Sequence, residues 1–172
     1  KHKITNQGVL NLGIGNNRVT VPGGFGALAK ERFDRDILMQ NGVKKVIIFE
    51  GVNDIGAAKS GSSETVARQI IESIQGMMKK AKARKMKVYL GTITPFKGAG
   101  YYTHFHEAAR LYVNDWIRSQ AKNVNGILDF AKLLQDPNDD RRMKREYASS
   151  DWLHPNPTGY KAMGIYAADI VK

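Results

Sequence analysis

Residues 46–54 read VIIFEGVND, an apolar run of four residues followed by a glutamate, a glycine, a valine and two polar side chains, those of Asn53 and Asp54. Apolar residues without polar interruption predict a strand that is covered on both faces, as in a parallel sheet. The segment Gly51-Val52-Asn53-Asp54 then forms the loop after that strand. The loops that follow parallel strands meet at one edge of the sheet, where ligands bind in such folds. This stretch therefore predicts a parallel sheet and a ligand-binding site at the end of this strand.

Strand-length apolar runs alternate with longer segments of helical period along the rest of the chain. The predicted strands are residues 8–14, 43–49, 86–93 and 126–130. The predicted helices are residues 28–40, 63–83, 105–116 and 157–170, the last with Asn156 as its cap. This β-α-β-α series predicts an α/β fold with a doubly wound parallel sheet and helices on both faces. No repeat or linker interrupts the series, so residues 1–172 are expected to form a single domain.

Apolar stripes predict the buried faces of two of these helices. In the helix over residues 63–83 the stripe is Val66, Ile70, Ile74, Met77 and Ala81. In the next helix the predicted stripe is Phe105, Ala109, Tyr112 and Trp116. These residues are expected to pack against the sheet.

The composition excludes several kinds of chemistry. The chain has no cysteine, which excludes disulfides, thiolate catalysis and cysteine-bound zinc. No apolar stretch approaches the roughly 20 residues that cross a bilayer, so no membrane partner is expected. The compartment stays open, with a secreted or periplasmic location favoured.

The chain is strongly basic, with 27 Lys and Arg against 16 Asp and Glu and a formal net charge of +11. Much of the excess lies at the end of the helix over residues 63–83, where cations interact favourably with the helix dipole. More lies in residues 141–145, close to several aspartates. No aromatic residues interleave with these charges, as a stacking platform for bases requires, so nucleic acid is not an expected partner.

A second motif, Asp151-Trp152-Leu153-His154-Pro155, stands just ahead of the last predicted helix. An alcohol nucleophile needs a base to take its proton, and His154 can do this if an acceptor orients its other ring nitrogen. Asp151 lies three residues earlier, and side chains with this separation come close on a tight turn. The motif therefore predicts a general base and its orienting acid, without a metal or cofactor.

Donors for a developing oxyanion are expected in the loops after the first two predicted strands. The side-chain amide of Asn53 is one candidate, and removal of such a donor typically costs ~3 kcal/mol of transition-state stabilisation. A backbone N–H near Asn16 is the second candidate. All these groups lie at the ends of strands or before a helix, so they are expected to meet at one edge of the sheet.

These two motifs resemble the third and fifth sequence blocks of the SGNH hydrolases, also called the GDSL esterase and lipase family. Residues 11–17, with the sequence NLGIGNN, look like the second block, so the resemblance extends over the whole chain in order. It implies a flavodoxin-like sheet, with His154 as general base, Asp151 as its partner and Asn53 as an oxyanion donor. Where the family has a glycine whose N–H serves the oxyanion hole, this chain has Asn16, a residue that tolerates left-handed backbone better than most.

The family's first block, Gly-Asp-Ser, and the central strand before it have no counterpart in residues 1–172. The resemblance therefore implies a nucleophilic serine upstream of Lys1. Loss of a central strand removes on the order of 6–12 kcal/mol of apolar burial, comparable with the net stability of a domain. We expect that the chain does not fold alone as a monomer and that a separate N-terminal fragment, or a segment swapped from another chain, completes it.

Two alternatives remain for residues within the chain. Ser149 or Ser150 could act as the nucleophile, although neither stands on a strand-to-helix elbow. His104 and His106 suggest a metal site, but they begin a helix, on which side chains two residues apart diverge.

The predicted activity is hydrolysis of an ester through an acyl-enzyme. Within the resemblance, the block spacing looks more like bacterial carbohydrate esterases than long-chain lipases, which favours acetyl groups on a polysaccharide, or a small-molecule ester, as substrate. The alternative function is a non-catalytic protein that keeps the pocket and binds carbohydrate.

Overall fold

The computed structural model of the chain describes residues 6–171. A three-stranded parallel sheet forms its centre, with β1 (Lys45–Ile48), β2 (Lys87–Gly91) and β3 (Gly126–Leu128) in the order β1-β2-β3. A short antiparallel pair, β4 (Gln135–Asp136) and β5 (Asp139–Met143), lies outside this sheet. Each of the three central strands coincides with one of the apolar runs of the sequence.

Six α-helices connect and cover the strands within the described residues. They are α1 (Ala29–Phe33), α2 (Val52–Ala57), α3 (Ser63–Ala83), α4 (His104–Ser119), α5 (Phe130–Leu134) and α6 (Pro157–Ile170). A π-helical segment, Asp34–Leu38, continues α1. No helix among residues 6–171 combines the length and the apolar character that a bilayer crossing requires.

The alternation of side chains along β2 shows that helices cover both faces of the sheet. Val88 and Leu90 are fully buried in one apolar cluster, to which α3 and α4 contribute. Tyr89 points the other way, into a second cluster that contains Met163 of α6. The predicted α/β fold with a parallel sheet between helices is confirmed.

Two helices follow the prediction from sequence closely. Helix α3 has the predicted bounds, and its predicted stripe is buried: Val66, Ile70, Ile74, Met77 and Ala81. Helix α6 begins at Pro157, and the Asn156 side chain accepts a hydrogen bond from the Gly159 N–H at 3.0 Å, as an N-cap does. In both cases the signals that determine the helix, an apolar stripe in α3 and a cap followed by proline in α6, lie within the segment itself.

The predicted buried face of α4 is wrong in part, since Ala109 is buried and Trp116 packs partly buried against the core. Phe105 and Tyr112 are 37% and 43% exposed, whereas His106, Arg110 and Asn114 are buried. The helix is turned because Asn114 bonds both backbone groups of Ile93, its Oδ1 accepting from the N–H at 2.7 Å and its Nδ2 donating to the carbonyl at 2.8 Å. Apolar periodicity cannot detect a face that is buried through polar contacts.

Two predictions about strands are also wrong. Residues 8–14 form no strand, and Val9 and Leu10 are 93% and 62% exposed. Strand β1 is covered on one face only, because Ile47 and Phe49 remain 44% and 40% exposed while Val46 and Ile48 are buried. Both results have one physical reason: among residues 6–171 the only strand that pairs with β1 is β2, so no neighbour orders residues 8–14 beside it.

Candidate functional site

Asp151 and His154 meet on a tight turn ahead of α6. The Nδ1 atom of His154 lies 2.6 Å from Oδ2 of Asp151. The turn is closed at its base by an antiparallel bridge between Ala148 and Pro155, and by the Ser149 N–H, which donates to the His154 carbonyl at 3.0 Å. The Nε2 atom of His154 makes no hydrogen bond within the described residues. The structure therefore brings the predicted base and acid together and leaves the far ring nitrogen free to take a proton.

The Asp151 carboxylate is held by donors from its own turn. Its Oδ1 accepts from the Ser149 hydroxyl at 2.5 Å and from the backbone N–H groups of Leu153 and His154 at 2.9 and 3.0 Å. The bond from Ser149, and next the one from His154, hold the pKa of Asp151 well below its ordinary value. Asp151 thus stays ionised and can orient an imidazole and balance its charge.

The turn depends on an unusual backbone conformation at Trp152. Its φ of 56° lies in the left-handed region, which non-glycine residues rarely adopt. The indole packs over Gly98, where a Cβ atom would lie 2.9 Å from it, and the Arg145 guanidinium lies 5.2 Å from the ring. Packing from the loop after β2 therefore supports the turn that carries Asp151 and His154.

Asn53 lies in the first turn of α2, directly after β1. Gly51 caps this helix with φ at 113°, a backbone conformation that disfavours any side chain, and a Cβ atom there would lie 3.2 Å from Ile70 and 3.3 Å from Ile93. The Asn53 Nδ2 donates to the Asn17 carbonyl at 2.9 Å, and its Oδ1 accepts from the Tyr101 hydroxyl at 3.3 Å. An amide nitrogen carries two N–H groups, and the second has no partner within residues 6–171. That N–H is the one that could bind an oxyanion.

Asp54 ties the loop over residues 16–21 to the start of α2. Its carboxylate is fully buried and accepts from three successive backbone N–H groups, those of Val19, Thr20 and Val21, at 2.8–2.9 Å. These donors lie more than 30 residues away in the sequence. Asp54 is thus structural, and it organises a loop that is distant in the sequence.

The same loop presents the Asn16 backbone. Asn16 has φ at 53°, so it adopts the left-handed conformation. Its carbonyl accepts from Phe25 at 3.1 Å, whereas its N–H makes no hydrogen bond within the described part of the chain. The neighbouring Asn17 is 2% exposed and its amide donates to two carbonyls, those of Phe25 and Ala27. The geometry thus leaves a free backbone N–H beside the carbonyl that Asn53 contacts.

A buried polar cluster supports these loops. Arg32, which is 7% exposed, donates to the Asn17 Oδ1 and lies 3.6 Å from the Glu50 carboxylate. Burial raises the pKa of Glu50 to about 7; the Arg32 charge opposes this shift and the Asp54 charge adds to it. The sequence prediction did not identify Glu50 as part of this cluster.

The segment after β2 joins the two halves of the site. The Trp152 indole packs against Gly98, and three residues later the Tyr101 hydroxyl donates a hydrogen bond to Asn53. The sequence prediction missed the contact of Tyr101 with Asn53 and that of Asn17 with Asn53, which join residues distant in sequence, and it considered Ser149 only as a nucleophile and not as a partner of Asp151.

The geometry supports neither Ser149 or Ser150 as the nucleophile nor a metal site at His104 and His106. The Ser149 hydroxyl bonds Asp151 and not His154, and Ser150 makes no hydrogen bond within residues 6–171. His106 is buried, with both ring nitrogens against backbone carbonyls, and His104 is exposed. No group of three acidic or histidine residues in the described chain is arranged to hold a metal ion.

Comparisons with known proteins identify the family and the fold of the chain. A model of the GDSL-like lipase/acylhydrolase family matches residues 1–162. A structure from Desulfitobacterium hafniense, of the lipolytic G-D-S-L family, is 27% identical, with a TM-score of 0.66 over 83% of this chain and 73% of that one. None of the curated proteins searched matches the chain.

Two further structures share the fold at lower identity. A GDSL-like lipase from Bacteroides thetaiotaomicron is 21% identical, with a TM-score of 0.63 over 81% of this chain and 67% of that one. A member of the lipolytic G-D-S-L family from Veillonella parvula is 17% identical, with a TM-score of 0.58 over 82% and 71% of the two chains. The chain thus spans about two thirds to three quarters of each relative.

Proposed function

Because the chain belongs to the GDSL-like lipase/acylhydrolase family, we propose that it forms part of a serine ester hydrolase that works through an acyl-enzyme. The observation that carries the proposal is the 2.6 Å contact between His154 Nδ1 and Asp151 Oδ2, which leaves Nε2 without a partner in the described chain. Asp151 holds a proton on Nδ1, so that Nε2 is the basic atom. An imidazole in this state can accept a proton from an alcohol.

The proposed reaction has two half-reactions. In the first, His154 Nε2 takes the proton of a serine hydroxyl as its oxygen attacks the ester carbonyl, and the oxyanion accepts from the free N–H of Asn53 and the Asn16 backbone N–H. The alcohol leaves with the proton from His154, and the acyl group stays on the serine. In the second, His154 takes a proton from a water molecule as its oxygen attacks the acyl carbonyl; the bond to the serine breaks, the serine oxygen receives the proton from His154, and the acid is released.

We propose that the nucleophilic serine comes from a Gly-Asp-Ser segment outside the 172-residue sequence, on a strand that pairs with β1, so that residues 1–172 are one incomplete domain. Two observations support this: Ser149 bonds Asp151, and β1 exposes Ile47 and Phe49 beside an unpaired edge within the described chain. A separate fragment or a segment of a second copy could supply the strand. The chain alone would then be inactive.

As substrate we propose short acyl esters, acetyl groups above all, on a carbohydrate. The side chains of His154 and Asp151 are 63% and 49% exposed, so the base stands at an open surface. An open site can admit a long polymeric alcohol, whereas a long acyl chain needs an enclosed apolar pocket. This geometry supports the carbohydrate esterase over the long-chain lipase.

The test uses a complemented chain, defined as residues 1–172 joined at Lys1 to the N-terminal segment of the D. hafniense relative that carries its G-D-S-L sequence. We expect turnover of p-nitrophenyl acetate that falls by at least about 10³-fold in His154→Ala. Ser→Ala in the G-D-S-L segment should abolish turnover, while Ser149→Ala should retain most of it.

Unchanged turnover in His154→Ala would refute the hydrolase proposal. Loss of turnover in Ser149→Ala, with the segment serine dispensable, would identify Ser149 as the nucleophile instead. A complemented chain that binds acetylated xylan but hydrolyses neither substrate would favour the non-catalytic carbohydrate-binding protein.

A further inference from the structure

We infer that Tyr101 is a positioning residue, which holds the Asn53 amide so that its free N–H points into the site. The inference rests on the proposed function, because it assigns a cause to the orientation of the proposed oxyanion donor. Three contacts support it: the Tyr101 hydroxyl bonds Asn53, the Tyr101 ring packs on α2, and the buried His106 bonds the backbone of Tyr101 and of Ala58.

The hydrogen bonds fix which end of the Asn53 amide faces which neighbour. The Asn17 carbonyl can only accept, so the atom 2.9 Å from it must be the amide nitrogen. The amide oxygen then faces Tyr101, whose hydroxyl donates to it at 3.3 Å. Because one N–H of the Asn53 amide donates to Asn17 and its oxygen accepts from Tyr101, the direction of the remaining N–H is fixed.

The Tyr101 ring is seated on the helix that carries Asn53. A Cβ atom at Gly56, one turn after Asn53 in α2, would overlap the Tyr101 ring. Only glycine leaves room for the ring at this position. The ring and the amide therefore keep a fixed separation, because both rest on the same short helix.

His106 ties Tyr101 and α2 together from the buried side. It is 5% exposed, with Nδ1 2.6 Å from the Tyr101 carbonyl and Nε2 2.8 Å from the carbonyl of Ala58, which follows the last residue of α2. Both acceptors are carbonyls, so a doubly protonated ring donates to both and a neutral ring to one of them. The Thr103 hydroxyl accepts from the His106 N–H at 3.1 Å, which fixes the start of α4 under this contact.

The next residue provides a matched control. Tyr102 has the same side chain on the same loop, and its ring packs against Phe96 at 6.1 Å between centroids. Its hydroxyl makes no hydrogen bond within residues 6–171. Tyr101→Phe and Tyr102→Phe each remove one oxygen and keep the ring, so they differ in the contact with Asn53.

The first measurement is steady-state hydrolysis of p-nitrophenyl acetate by the complemented chain. We expect Tyr101→Phe to lower kcat about tenfold with KM changed less than twofold, because an oxyanion donor acts in the transition state. Tyr102→Phe should leave both constants unchanged. A fall of the same size in both variants, or no fall in Tyr101→Phe, would overturn the inference.

The second measurement needs no activity. In the ¹⁵N-labelled complemented chain, the side-chain amide signals of Asn53, assigned through Asn53→Ser, should show restricted motion in the parent and in Tyr102→Phe. Tyr101→Phe should make this amide mobile on the nanosecond timescale, as its relaxation reports. An equally rigid amide in Tyr101→Phe would refute the positioning role.

The two proposals fail in distinguishable ways. If Asn53→Ala leaves turnover of the complemented chain intact, Asn53 is not an oxyanion donor and the proposed mechanism is wrong, whatever the relaxation data show. If Asn53→Ala lowers kcat by about 10²-fold or more and Tyr101→Phe changes neither kcat nor amide motion, the mechanism stands and the role of Tyr101 is refuted.

Discussion

At the scale of single residues, the turn that carries the proposed base depends on a close contact between two unusual backbones. Trp152 has φ at 56° and Gly98 has φ at 106°, and the indole of the first lies against the second. Left-handed backbone at a residue with a Cβ costs of order 1–3 kcal/mol and persists only where packing determines it. The contact over Gly98 supplies such packing, so the geometry of Asp151 and His154 depends on a residue more than 50 positions earlier.

We therefore predict that Gly98→Ala lowers both stability and activity. The new methyl group would lie 2.9 Å from the indole, on a backbone that disfavours any side chain, so we expect a loss of about 2–3 kcal/mol in unfolding free energy. Urea titration of the complemented chain measures this, and kcat should fall with it. Gly100→Ala is the control, because no atom lies within 4 Å of a Cβ there and its φ is not positive; equal effects in both variants would contradict the argument.

Glu50 predicts a specific pH dependence of stability. Because burial raises its pKa from 4.5 to about 7, the folded protein keeps a proton that the unfolded chain has already released. The resulting stabilisation is full below about pH 4.5 and is lost as the pH rises through 7. Over this window the loss amounts to at most about 3 kcal/mol.

Glu50→Gln should remove this contribution. Unfolding free energies of the complemented chain, measured from pH 4.5 to 8, should fall more steeply for the parent than for Glu50→Gln. Glu72→Gln, an exposed change on α3, should keep the slope of the parent. Parallel curves for the parent and Glu50→Gln would show that Glu50 is not the group responsible.

At the scale of elements, the sequence predicts what local signals determine. The bounds of α3 and the cap of α6 follow from side chains within a few positions, and the Asp151–His154 pair forms within one turn for the same reason. The face of α4 and the contact of Tyr101 with Asn53 depend on partners 21 and 48 positions away. Apolar periodicity does not register a buried asparagine, and no motif distinguishes Tyr101 from Tyr102.

The polar anchoring of α4 has a measurable energy. Asn114 is fully buried, and Asn114→Ala would leave the N–H of Ile93 without a partner, whereas the Ile93 carbonyl keeps the Arg110 guanidinium at 3.4 Å. An unsatisfied buried group costs about 1–3 kcal/mol, so we expect a loss of about 1–3 kcal/mol in unfolding free energy. Asn123→Ala, an exposed asparagine after the same helix, should cost less than about 0.5 kcal/mol. Similar losses in the two variants would contradict the anchoring role.

At the scale of the whole molecule, the two outer strands of the sheet, β1 and β3, each have an edge with no strand partner among the described residues, but they differ in how they are covered. Strand β3 is followed by α5 and contacted by α6, whereas Ile47 in β1 and Phe49 just after it remain 44% and 40% exposed. Val9 and Leu10 are also exposed, in a segment that the sequence predicts to be a strand. Exposed apolar side chains next to a free strand edge favour addition of a further strand, since a parallel strand is stable only when both faces are covered.

This asymmetry gives the last prediction, which tests the added strand separately from catalysis. In hydrogen exchange, the outward-facing amides of Lys45–Ile48 should exchange rapidly in residues 1–172 alone and become protected in the complemented chain. The segment with Ser→Ala should protect them equally while giving no turnover, because the strand supplies hydrogen bonds and the serine supplies only the nucleophile. Protection in residues 1–172 alone that appears with concentration, together with a dimer in sedimentation, would identify a second copy as the source of the strand. Rapid exchange at β1 in the complemented chain would refute the added strand, since a paired strand cannot leave these amides open to water.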